Sequence, residues 1–66
     1  MKNRLKIARA ELDITQEELA KRIGVSRQTI NAVESARYVP STVLALKMAQ
    51  VFVKKVEELF LLEDED

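Results

Sequence analysis

The chain has no cysteine, no histidine and no tryptophan, and only one glycine and one proline. Without cysteine it can build neither a disulfide framework nor a thiolate metal site. Without histidine it lacks both the usual neutral-pH acid–base group and the commonest zinc ligand. Long apolar runs are missing too. The longest charge-free stretch, Tyr38 to Leu46, is nine residues and contains Pro40, Ser41 and Thr42. A membrane span needs about 20 apolar residues. Lys2, Arg4, Lys6 and Arg9 alternate with apolar residues, and no hydrophobic run follows them. That is not the pattern of an export signal, so a cytoplasmic location is expected. Neither a cofactor, a metal nor a small-molecule ligand is expected.

What is present is globular: 66 residues, 47% hydrophobic and 33% charged. A chain of this length builds one core but not a core plus a walled pocket, which argues against an enzyme. Formal net charge is zero, yet it is unevenly placed. Residues 1–39 carry eight Lys/Arg against five acids, a net of +3, and residues 40–66 carry three Lys against six acids, a net of −3. Such asymmetry orients a molecule in the field of a polyanion, although charge arithmetic is equally consistent with plain solvated surface.

With little Gly or Pro and no sustained period-2 pattern, the expected fold is all-α, a compact bundle of five helices. The first helix is expected from about Asn3 to Leu12, with Leu5, Ala8 and Leu12 inward and Ile7 flanking. Thr15-Gln16-Glu17-Glu18 has the form of a capping box opening a second helix. Leu19, Ala20 and Ile23 line its inner face, and Gly24 supplies its left-handed stop. Ser26 caps a third helix from Arg27 to about Ser35, with Ile30 and Val33 inward. Ser41 caps a fourth, whose inner face is Leu44, Ala45, Met48, Ala49 and Phe52. A fifth starts near Val56, with Glu57 and Glu58 near its positive end and Leu59 and Phe60 inward. One domain over 1–62 and an acidic tail at 63–66 are expected.

Residues 16–34 are the informative part. Leu19 and Ile23 fix one inward face, Ala20 is small where two helices cross, and Val25 plugs beneath the Gly24 turn. Two short helices joined by a glycine turn form a helix-turn-helix. A major groove about 12 Å wide admits the second helix while the first crosses the backbone.

These residues, with Leu5-Lys6-Ile7-Ala8-Arg9, Glu34 and Tyr38-Val39-Pro40-Ser41 followed by Leu44 to Ala49, resemble the lambda-repressor-like, or Cro-like, helix-turn-helix family of DNA-binding regulators. The resemblance covers nearly the whole chain. It implies a double-stranded DNA partner, with the third helix in the major groove. Arg27 and Gln28 would then meet base edges, and their chemistry suits guanine and adenine respectively. Asn31, one turn on, would read a base or a phosphate. Gln16, at the positive end of the second helix, would clamp a phosphate. Ser26, Thr29, Ser35, Arg37 and Tyr38 are further phosphate candidates, Tyr38 doubling as a lid on the core. The resemblance also implies that Arg9 and Glu34 form an ion pair bridging the first and third helices.

Two places depart from the family pattern. The family usually has Gly or Asn at the position of Ala36, so Ala36 either takes a strained left-handed conformation or ends the helix differently. Val53-Lys54-Lys55 contains no αL-prone residue and no cap, so the last two helices are expected either to meet in a distorted junction or to merge in part. Apolar residues crowd the end, and Phe52, Val56, Leu59, Phe60 and Leu62, with Leu61, are expected to supply a homodimer interface. The family most often represses transcription, and a two-fold dimer suits a palindromic site. The alternative is an antitoxin that uses its apolar end and acidic tail to grip a partner toxin.

Overall fold

The computed structural model describes all residues, 1–66. The order is β1 (Lys2–Asn3), α1 (Leu5–Leu12), α2 (Gln16–Ile23), α3 (Arg27–Glu34), α4 (Thr42–Phe52), α5 (Val56–Leu59) and β2 (Phe60–Leu61). The five helices are as expected. The strands are not: β1 and β2 pair antiparallel, with Lys2 opposite Leu61 and Asn3 opposite Phe60. This pairing explains why α1 starts two residues later than its pattern implies. It also holds α5 to four residues, because the chain turns extended at Phe60.

Side-chain caps open three of the helices. The Thr15 hydroxyl accepts from the Glu18 amide at 3.0 Å, and the Glu18 carboxylate accepts from the Thr15 amide at 3.1 Å, completing the capping box. Ser26 accepts from the amide of Thr29 and Ser41 from that of Leu44, both at 3.2 Å. Each such cap is worth about 1 kcal/mol. At α5 the Glu58 carboxylate accepts from the Lys55 amide at 2.9 Å, so this helix opens without a capping hydroxyl.

The first four helices all end the same way. Asp13, Gly24, Ala36 and Val53 sit at φ of 54°, 89°, 61° and 52°. The next residue's amide then reaches back five positions in each: Ile14 to Arg9, Val25 to Ala20, Arg37 to Ala32 and Lys54 to Ala49. This closure satisfies the carbonyls that a helix end strands. Only one of the four positions is glycine. Ala36 takes the left-handed alternative, and Val53 shows that the last junction neither merges nor lacks a cap. A β-branched residue is rarely found there, so this closure stores strain.

The α1 closure corrects one inward assignment. Leu12 is exposed, and Ile14 is buried in its place. The left-handed turn at Asp13 folds the chain back and tucks the following apolar residue beneath the helix it has just left.

Fourteen residues form a single core drawn from every helix, from Ile14 in the α1–α2 turn and from Phe60. Leu5, Leu19, Ile30, Met48 and Leu59 are wholly buried. No polar or charged residue is buried as a whole, although the Glu34 side chain is only 1% exposed, and every buried side-chain polar atom has a partner.

The same burial revises the expected dimer surface. Phe52 is 6% exposed, Leu59 0% and Phe60 8%. They complete the protomer's own core, so their side chains are not presented to a second copy. Val56 and Leu61 are half-buried and Leu62 is exposed. The exposed tail lies beside the N-terminus. Glu63 and Asp66 hold the Met1 ammonium at 3.1 and 3.2 Å.

Candidate nucleic-acid interface

The caps fix where α2 and α3 begin, and Gly24 fixes the turn between them. Ile30 and Val33 are buried, so the helical period turns Arg27, Gln28 and Asn31 away from the core. Arg27 and Gln28 are exposed and Asn31 half-buried. These three line one shallow concavity with Ala32 and Arg37. Arg27 also lines a second hollow with Thr15, Gln16 and Glu17 at the start of α2. The α2 N-terminus, the outer face of α3 and the loop after it therefore form one continuous surface. That surface joins the residues assigned to bases with Gln16 and Arg37.

Three groups hold α3 from behind. The Arg9 guanidinium donates to both carboxylate oxygens of Glu34, at 2.6 and 3.0 Å, and to the Ile14 carbonyl at 3.1 Å. The expected bridge between α1 and α3 is thus present and two-pronged. Its hydrogen bonds to Glu34 raise the pKa of Arg9, burial opposing them. Gln16 is the second group. Its side-chain amide donates to Glu34 at 3.1 Å, so in the free protein that amide is tied to the bridge.

The third group is Asn3, which sequence reasoning did not single out. Its amide nitrogen donates to the carbonyls of Val33 at 2.9 Å and Glu34 at 3.4 Å. Its oxygen accepts from the Leu5 amide at 3.2 Å. One side chain thereby pins β1 to the end of α3 and accepts from the first amide of α1. The only local signal was an Asn just ahead of a helical pattern, and its partners lie about 30 residues away. Ala32 was also missed. Its position four after Gln28 places it on the same outer face, and it borders the same concavity.

Ser26 and Thr29 are joined hydroxyl to hydroxyl at 3.0 Å. Ser35 donates to the Ala32 carbonyl at 3.2 Å. Tyr38 is exposed and borders a groove with Ile23, Val25, Thr29 and Val43. No helix is long and apolar enough to cross a membrane.

A capped helix pair joined by a glycine turn, with a polar and partly basic outer face, defines a helix-turn-helix DNA-binding domain. Residues 5–59 match the family model described as helix-turn-helix, and the chain belongs to the Cro-like helix-turn-helix family. It is 53% identical over 66 residues to an uncharacterized HTH-type transcriptional regulator of Methanocaldococcus jannaschii, with all of both chains covered. It is 48% identical to a second such regulator, from Archaeoglobus fulgidus, covering all of this chain and 93% of that one. A third, YgzD of Bacillus subtilis, is 47% identical with both chains covered in full. The chain is therefore a DNA-binding transcriptional regulator and not an enzyme.

Proposed function

We propose that the chain acts as a repressor, a homodimer that reads a palindromic operator with α3 in the major groove of each half-site. Arg27, Gln28 and Asn31 contact base edges. Ser26, Thr29, Ser35, Arg37, Tyr38 and the α2 N-terminus at Gln16 contact phosphates. The observation that carries this reading is the continuous surface from the start of α2 across α3 to Arg37. It presents guanidinium and carboxamide groups that suit purine edges.

One α3 reads only a few base pairs, and a second copy doubles the contacts. Val56 and Leu62 remain available for that association, together with Val53, which is 90% exposed. Phe52, Leu59 and Phe60 support this end from within. Half-sites would lie about 34 Å apart, one turn of DNA. With the acidic residues concentrated in the last third of the chain, the basic part faces the phosphates and the acidic part does not.

The test is fluorescence anisotropy on the duplex upstream of the chain's own gene, at several salt concentrations, beside Arg27→Ala/Gln28→Ala. The expected result is tight wild-type binding that survives a random competitor and is lost in the double variant. Equal binding of both proteins to any duplex would overturn base reading by α3.

A further inference from the structure

The reading of bases by α3 leaves open which base Asn31 takes, and the structure constrains that choice. This inference rests on the proposed major-groove docking of α3. An unrestrained Asn side chain carries one acceptor oxygen with two lone pairs and two N–H donors, and its best match is adenine, which offers N7 as acceptor and N6–H₂ as donor. Asn31 is not unrestrained. The Arg37 guanidinium donates to its carboxamide oxygen at 2.7 Å through Nη2, and to the Ser35 hydroxyl at 2.8 Å through Nε. A guanidinium has no acceptor, so the Asn31 atom facing it must be the oxygen. The carboxamide orientation is therefore set by chemistry.

The backbone places Arg37 there. Ala36, at φ 61°, reverses the chain, and the Arg37 amide closes back on Ala32 at 2.9 Å. The side chain then lies over the outer face of α3 and borders the same concavity as Arg27, Gln28 and Asn31. Ser35 Oγ is itself held by the Ala32 carbonyl, which steadies the second prong.

We propose that Arg37 is a specificity-positioning residue that biases Asn31 toward reading as a hydrogen-bond donor. With one lone pair engaged by a cation, the Asn31 oxygen is a poorer second acceptor, and Asn31 offers the groove chiefly its strengthened N–H groups. These match guanine O6/N7 or thymine O4 and oppose the N–H₂ of adenine or cytosine. Three of the five N–H groups of Arg37 have no partner in the structure and remain for a phosphate, so positioning and backbone contact coexist. Loss of the fork returns the oxygen to full acceptor strength and favours the adenine match.

The experiment selects preferred sites from a random duplex library with the full chain and with Asn31→Ala, Arg37→Lys and Arg37→Ala. Anisotropy at several salt concentrations then follows each protein on the selected sites. Circular dichroism checks folding, and Arg37 is exposed, so the variants should fold. Asn31→Ala identifies the base pair read by Asn31, as the one whose preference it relaxes. There the wild type should select guanine or thymine by about tenfold over adenine, the usual scale of one good base contact. Arg37→Lys keeps the charge but not the fork, so it should hold the salt slope while shifting that one base pair toward adenine. Arg37→Ala should make the same shift and lower the salt slope by about one.

A wild type that already selects adenine at that base pair overturns the proposal. So does an Arg37→Lys that leaves all preferences unchanged, which would make Arg37 a phosphate contact alone. An Asn31→Ala that relaxes no position overturns it too. These failures leave base reading by Arg27 and Gln28 standing. A wild type that selects no sequence at all refutes the docking of α3, and this inference with it.

Discussion

Removing Arg9 alone should harm the protein more than removing Arg9 and Glu34 together. The Glu34 side chain is 1% exposed, while that of Arg9 is 18% exposed. Arg9→Met strands a carboxylate that water barely reaches, with only the neutral Gln16 amide left to bond it. Breaking a buried pair from one side costs about 3–5 kcal/mol. Glu34→Met leaves a guanidinium that still bonds the Ile14 carbonyl and lies closer to solvent, so about 1–2 kcal/mol is expected. Arg9→Met/Glu34→Met removes both charges and fills much of the space, and should cost less than Arg9→Met alone. A 66-residue domain has about 3–10 kcal/mol of total stability, so Arg9→Met should sit near the edge of folding. Urea unfolding of the four proteins at neutral pH gives the cycle directly. Additive costs, with the double variant as unstable as the sum, would refute the claim that an orphaned Glu34 is the source of the loss.

Other outcomes follow from the helix ends and the core. Val53→Gly should raise the protomer's own stability by about 1 kcal/mol, because Val53 is 90% exposed and packs on nothing within the protomer while the left-handed strain is relieved; a lowered melting temperature at concentrations too dilute for association would contradict this. Gly24→Ala should cost about 1 kcal/mol from backbone strain alone, since a Cβ there meets nothing within 4 Å. Leu59→Ala should cost about 2–5 kcal/mol in urea unfolding, as for a wholly buried leucine; a neutral result would return Leu59 to the surface. Hydrogen bonds that the Met1 ammonium donates to Glu63 and then to Asp66 raise its pKa above the usual 8.0. A raised group stabilises below its unfolded value and loses that contribution as pH climbs through its folded value. A small fall in melting temperature above about pH 8 is expected, and N-terminal acetylation should abolish it.

The parts legible in the sequence are those decided locally. The α2 and α3 boundaries rest on Thr15 with Glu18, on Gly24 and on Ser26, each acting within four residues of itself. The inner faces of α2, α3 and α4 follow from helical period. The illegible parts depend on partners far along the chain. Two-residue strands carry no period, so the pairing of Lys2–Asn3 with Phe60–Leu61 left no trace, and the apolar cluster it buries read as a surplus for a partner. Ile14 replaced Leu12 in the core because an aspartate took the left-handed position, a conformation that composition does not announce. Within the candidate interface, residue types identified the reading face. The orientation of Asn31 by Arg37 and the anchoring of α3 by Asn3 depend on side-chain geometry that spacing alone cannot supply.

The most direct test of the central claim, that α3 reads bases from the major groove, is dimethyl sulfate protection on a selected operator. The reagent methylates guanine N7 in the major groove and adenine N3 in the minor groove. Protection of guanine N7 in two patches about 10 base pairs apart, lost with Arg27→Ala/Gln28→Ala, is the expected result. Unprotected guanines beside protected adenine N3 would contradict it and place the protein in the minor groove.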